Sequence, residues 1–470
     1  MISHTLHESL AGAPRLWKPK SHMLFSHRWA ALMRYTQDMD TSSLCAYIRE
    51  QLPNLIALRH DLHRHPELSF EETRTSQRVC DELDALGIAY KKGFAKGTGV
   101  VAHLPATETS TKPDQERLAV GLRADMDALP ICENTDRAYA SQTPGVMHAC
   151  GHDGHTTILL GAARILSQLE NRPNPVTLIF QPAEEDGGGG ERMCQEGALL
   201  GDQGGGIGSR VGRIFGLHGW PQVPLGQVAT KPGPLLAATD DFVLRICAKG
   251  GHAAFPHLTS DPILAAAHVV TALQSIASRN VDPVDALVIT VGQIAGGSAN
   301  NIIPTAVELI GTVRTLTAHT RKLARERFFA IVESTTQAFG CQVQIDWQDG
   351  YPATVNDAAL TDHFLSVAKK NFGDDRVVHV ASPVMGGEDF SYYGQHVPAC
   401  FFMLGLLAPG QDPQTTPKLH QAEFDFNDDA IETGIEMMVR LAVSHDATQT
   451  LPSVQINTTN AARNGISARV

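Results

Sequence analysis

The segment Met147-His-Ala-Cys-Gly-His-Asp-Gly-His155 concentrates a thiol, three imidazoles and a carboxylate just ahead of a helical pattern. Cys150 and His152, two apart in a looped stretch, can point the same way and offer one sulfur and one nitrogen to a transition ion. Histidines at a helix start also cap or solvate it. A nucleophilic Cys150 activated by His152 or His155 is therefore the sharpest rival reading.

Further donors stand at the ends of apolar runs. Residues 176–180 lead into Gln181-Pro-Ala-Glu-Glu185 and a glycine run at 187–190, which delivers two adjacent carboxylates onto an unencumbered loop. Adjacent side chains diverge, so one can bind a metal while the other faces a water. Residues 214–217 end at His218, and a polar loop ends at Leu419-His420. In Leu122-Arg-Ala-Asp-Met-Asp-Ala-Leu-Pro130 the strand period of two puts Asp125 and Asp127 on one face, where either can orient a metal-bound imidazole. Taken singly, each of these is an ordinary solvated acid or a satisfied core histidine. Four strand-end donors in one chain are harder to dismiss.

Other chemistries fit less well. Gly97-Thr-Gly-Val-Val-Ala102 matches a loose dinucleotide fingerprint, but it enters a strand instead of leaving one for a helix. The chain has no Gly-Lys-Ser/Thr phosphate loop, no Gly-x-Ser-x-Gly elbow and no His-Glu-x-x-His helix.

These residues need a scaffold, and 470 residues with 43% hydrophobic and 19% charged content predict two or three domains with substantial cores. A net charge of −12, from 38 Lys+Arg against 50 Asp+Glu, argues against nucleic acid as a partner. No apolar run approaches the roughly 18 residues of a membrane span. Eight scattered cysteines make no disulfide framework, so a reducing, cytoplasmic setting is expected. Residues 1–42 read as a disordered extension with a faint basic bias, and residues 446–470 as a disordered tail.

Helical patterns at 44–51, 55–62, 71–86 and 156–169 interleave with apolar runs at 99–104, 118–122, 176–180 and 214–217. Such alternation predicts an α/β fold with a mostly parallel sheet, whose ligands gather at the carboxyl ends of its strands. From 231 to 349 the pattern becomes βαββαβ, the ferredoxin-like order, with strands near 242–247, 287–293, 305–313 and 341–347. Proline and glycine mark both junctions. The expected organisation is a main domain from 43–230 and 350–445 that carries an inserted domain at 231–349.

Together the motifs are recognisable. The chain resembles the dinuclear metal-dependent amidohydrolases of the aminoacylase and carboxypeptidase clan, in the branch of hippurate hydrolases, N-acyl-amino-acid amidohydrolases and indole-acetyl-amino-acid hydrolases. The resemblance runs from about Arg59 to Val443. It rests on His63-Arg-His-Pro-Glu-Leu, Arg123-Ala-Asp-Met-Asp-Ala-Leu-Pro, His148-Ala-Cys-Gly-His-Asp-Gly-His, Gln181-Pro-Ala-Glu-Glu, Leu217-His-Gly, Gly250-Gly-His-Ala-Ala-Phe-Pro-His, Asn301-Ile-Ile-Pro, Gly311-Thr-Val-Arg, Gly386-Gly-Glu-Asp-Phe and Leu419-His.

That resemblance implies two divalent ions held by Cys150, His152, Glu185, His218 and His420, with Glu184 as general base and Asp127 in the catalytic set. Zinc, manganese, nickel and cobalt are all open as the metal. His252 would steady the oxyanion, often across a dimer interface, while Asn301 and Arg314 would hold the substrate's carboxylate. The inserted domain would be a lid or a homodimer contact. The implied reaction is hydrolysis of an N-acyl or aryl-acyl amino acid; a metallo-carboxypeptidase or dipeptidase, a cysteine hydrolase and a nonenzymatic binding protein are the alternatives.

Overall fold

The computed structural model describes residues 41–107 and 117–445. The expected extension and tail lie outside them, apart from Thr41 and Ser42, which open the first helix. That helix, Thr41–Arg64, runs unbroken through Pro53, where two separate helical patterns were expected. A proline inside a helix removes one backbone bond and crowds the preceding turn. Burial of Ile48, Leu55, Leu58 and Leu62 along one stripe offsets that cost.

The main sheet has eight strands in the spatial order Ala89–Phe94, Gly99–Leu104, Val176–Gln181, Ala119–Asp125, Val211–Pro224, Ala399–Leu407, Val228–Thr230 and Val377–His379. Its centre is parallel: Val176–Gln181, Ala119–Asp125, Val211–Pro224 and Ala399–Leu407 all run the same way. Consecutive residues alternate between two cores. Leu178, Phe402 and Leu404 face the core under helices Thr41–Arg64, His152–Gln168 and Ala430–Val443, while Ile179, Phe401 and Met403 face a second core with Met193, Phe390 and Tyr393. A sheet covered on both faces needs apolar residues at nearly every position, which is why these strands read as continuous runs.

Two local expectations are corrected. Helix His152–Gln168 starts four residues before the expected Thr156, so His152, Asp153 and His155 all lie in its first turns. The strand expected to end at Leu217 continues to Pro224, which places His218 inside it, paired with Met403. The neighbouring strand Ala119–Asp125 pairs only as far as Gly216, so beyond that point Val211–Pro224 has Ala399–Leu407 as its partner and tolerates Pro221.

A separate four-stranded antiparallel sheet has the order Leu287–Gly296, Ala306–Thr315, Ala238–Cys247 and Gln342–Asp349. Helices Pro262–Ser275 and Ala318–Ala338 cover one face, packing Ala265, Val269, Phe328 and Val332 against Phe242, Leu244, Ile246 and Leu309. Asp261 caps the first helix by accepting from the Ile263 and Leu264 amides.

Candidate metal centre

Three neighbouring parallel strands bring the polar groups of the centre together. Asp127 follows Ala119–Asp125, Glu184 and Glu185 follow Val176–Gln181, and His218 projects from Val211–Pro224. The helix His152–Gln168 brings Cys150 and His152 beneath them, with Gly151 between at φ 94° as the left-handed cap. A side chain there would also crowd Phe426, whose ring lies 2.9 Å from the position of a Cβ. His420, at φ 64°, closes the group from a loop held by its own N–H donating to the Ala149 carbonyl at 2.8 Å.

The donor atoms of Cys150, His152 and His218 lie within 4.8 Å of one another, as do those of Cys150, Glu185 and His420. Cys150 belongs to both triads. Its Sγ is 3.2 Å from His218 Nε2, and His420 Nε2 is 3.2 Å from Glu185 Oε1. Glu184 stands beside them, with Oε2 4.0 Å from His152 Nε2.

The hydrogen bonds select the tautomers. Nδ1–H of His152 donates to the Asp127 carbonyl at 2.9 Å and its carboxylate at 3.2 Å, while Nδ1–H of His218 donates to the Gly219 carbonyl at 2.8 Å. Both rings therefore turn Nε2 toward the cluster, the atom a ligating imidazole offers to a metal. His152 Nε2 is buried with no hydrogen-bond partner, and Glu185 Oε1 is buried against His420 Nε2 at 3.2 Å. An unpartnered buried imidazole nitrogen in a nest of sulfur, nitrogen and carboxylate ligand atoms fits divalent cations well.

The electrostatics agree with that fit. Burial pushes the Cys150 thiol well up, and the carboxylates of Glu185 and Glu184 push it further. Burial likewise holds the Glu184 carboxyl well above its ordinary range, reinforced by Glu388, Glu185 and Asp389. Burial drives His218 down, with His155 adding to the effect. His152 is the exception: burial opposes its charge, but Asp125 and Asp127 outweigh it and carry the ring up to about 10. A cluster whose acids raise one another is one that bound positive charge relaxes.

The two aspartates divide the labour between them. Asp127 takes His152, and its other oxygen accepts the Glu185 amide at 3.0 Å and the Ser69 hydroxyl at 2.9 Å. Asp125 accepts from His155 Nδ1–H at 2.7 Å, and the far nitrogen of His155 accepts the Gly219 amide at 2.8 Å. Both aspartates position other groups.

His252 and Asn301 are exposed on the four-stranded unit, where Gly251–His252 pairs with Ile302–Ile303 and Ala253 N–H donates to the Asn301 carbonyl at 3.0 Å. His252 Nδ1 accepts from the Ala254 amide at 3.1 Å, which leaves Nε2–H as a donor. Arg314 lies elsewhere on that unit, half-buried, its Nη1 3.7 Å from where a Cβ on Gly387 would sit.

Several residues without a role from the sequence frame the centre. Arg123 is fully buried among Asp125, Glu388 at 3.0 Å and Asp389 at 2.8 Å. A lone arginine in an apolar strand is the signal that announces such a network. Glu72 accepts the Ala183 amide at 2.8 Å and so holds the loop before Glu184.

Comparison with known proteins places this geometry. Residues 121–444 match the peptidase family M20/M25/M40. The chain is 38% identical over 396 residues to IAA-amino acid hydrolase ILR1-like 4 of Arabidopsis thaliana, covering 83% of this chain and 85% of that protein. It is 41% identical over 352 residues to N-acetyl-L-cysteine deacetylase of Bacillus subtilis, covering 75% and 80%. A dinuclear metal-binding M20 peptidase from Bacillus subtilis superposes with a TM-score of 0.70 at 31% identity, covering 84% of this chain and 98% of that one. A match over most of the chain, together with a thiol, imidazole and carboxylate cluster at the strand ends, makes this chain a member of the M20/M25/M40 peptidase family and a hydrolase.

Proposed function

We propose that the enzyme hydrolyses the amide bond of an N-acyl or aryl-acyl amino acid with two divalent ions, releasing a carboxylic acid and a free amino acid. The observation that carries this reading is the membership of Cys150 in both donor triads, so that one thiolate can serve two ions. Cys150, His152, Glu185, His218 and His420 would hold them. Bound there, such ions supply an acidified water and a polarised scissile carbonyl.

The chain's own residues do the rest. Glu184, buried beside the cluster, takes the proton of the attacking water and returns it to the leaving nitrogen. Asp127 keeps His152 in its ligating tautomer. The Nε2–H of His252 donates to the tetrahedral oxyanion, and Asn301 and Arg314 hold the substrate carboxylate. His252 and Asn301 sit on the inserted unit, so they serve the reaction when that unit closes or when a second subunit presents them.

A homodimer through that unit agrees with its exposed Phe255, Leu258, Ile294 and Ile302 and with Leu287–Gly296 as an open sheet edge. We also read the enzyme as cytoplasmic, on its eight unpaired cysteines.

Activity against a panel of acyl amino acids, aryl-acyl glycines and dipeptides, before and after chelation and with zinc, manganese, nickel or cobalt restored, tests the assignment. Recovery on acyl amino acids upholds it. Activity indifferent to chelation, or confined to dipeptides, overturns it.

A further inference from the structure

Tyr351 stands where the chain returns from the inserted unit, between strands Gln342–Asp349 and Thr354–Asn356. The outgoing and returning segments are clasped there. Thr239 N–H donates to the Tyr351 carbonyl at 2.9 Å, and Tyr351 N–H donates to Thr239 Oγ1 at 3.0 Å. Arg321, on helix Ala318–Ala338, donates to both Asp240 oxygens at 2.9 and 2.6 Å and to the Gly350 carbonyl at 2.9 Å. One knot therefore joins both crossings to a helix of the inserted unit.

From this knot the Tyr351 hydroxyl reaches into the metal centre and donates to the Glu184 carbonyl at 2.7 Å. The Tyr351 ring lies 3.8 Å from where a Gly188 Cβ would sit. The side chain thus meets both ends of the loop 184–188, with its hydroxyl on the Glu184 carbonyl and its ring beside Gly188. Gly187 and Gly188 hold φ of 99° and 68°, so this stretch has little stiffness of its own.

We infer that Tyr351 is a positioning residue that staples the loop 184–188 and couples the stance of the inserted unit to the aim of Glu184. The inference rests on Glu184 as the general base. Any rotation of the inserted unit moves the clasp, the clasp carries Tyr351, and the hydroxyl shifts the Glu184 carbonyl with it. The fold thereby links substrate capture on one unit to base placement on the other.

Tyr351→Phe removes only the hydroxyl and keeps the ring against Gly188. The expected result is faster amide exchange in peptides covering 182–190, with unchanged metal content and a nearly unchanged Tm. In the same variant kcat falls roughly tenfold to a hundredfold, the scale of a small misplacement of a reacting group, with KM within about threefold. Unchanged exchange in 182–190 overturns the proposal, and so does unchanged kcat in an active enzyme. If the wild-type protein hydrolyses none of the acyl amino acids, the functional reading fails, and the exchange measurement still decides the staple by itself.

Discussion

Asp127 and His152 are joined twice, because the ring Nδ1 lies 2.9 Å from the aspartate's carbonyl oxygen and 3.2 Å from its carboxylate. The second carboxylate oxygen accepts the amide of Glu185, so one aspartate sets the direction of two donors. Asp127→Asn offers an NH2 where one of these acceptors is needed. Metal affinity, measured by titration against a chromophoric chelator, should fall roughly tenfold to a hundredfold. Wild-type affinity in this variant would rule out the positioning role.

Cys150→Ala should lower occupancy of both ions as well as rate, because the thiol is common to both triads. Elemental analysis of the purified variant gives the stoichiometry. A nucleophilic Cys150 predicts the contrary: full metal content and a covalent acyl-enzyme visible by mass spectrometry in the wild type.

Glu184→Gln should keep both ions while losing about two to four orders of magnitude in kcat, since the amide cannot carry the proton. Loss of metal from this variant would reassign Glu184 as a ligand. Mixing it with a His252→Ala variant should restore part of the activity if the exposed His252 is supplied by a second subunit, and no recovery would confine His252 to its own chain.

His63 is expected to make stability depend on pH through its bonds to Asp153 and Glu133. Burial opposes its charge, but bonds to Asp153 at 2.9 Å and Glu133 at 3.4 Å outweigh burial and raise the ring from 6.5 to about 9. A raised folded-state pKa means that the folded protein binds this proton more tightly. The contribution to stability is fully present below pH 6.5 and is lost as pH rises through about 9, by roughly 3 kcal/mol in total. The difference in unfolding free energy between wild type and His63→Gln should shrink across that window. A difference constant from pH 6 to 10 would show that His63 is neutral in the fold.

Chemistry and local order were legible in the residues themselves. The thiol, imidazoles and paired carboxylates declare their ligand types wherever they fold, and short apolar runs broken by glycine and proline declare strands. The succession of strands and helices that builds the four-stranded antiparallel sheet is readable for the same reason, since each element is a local pattern. Distance across the fold decided the rest. Asp125 and Asp127 look equivalent along a strand, and only the entry of helix His152–Gln168 gives His152 to one and His155 to the other. His218 looks like a strand end until Ala399–Leu407, far along the chain, pairs beyond it. Arg123 meets Asp389 across 266 residues, and Tyr351 meets Glu184 across 167. A side chain's type travels with the sequence, whereas its partner, tautomer and charge state belong to whatever the folded chain brings within about 3 Å of it.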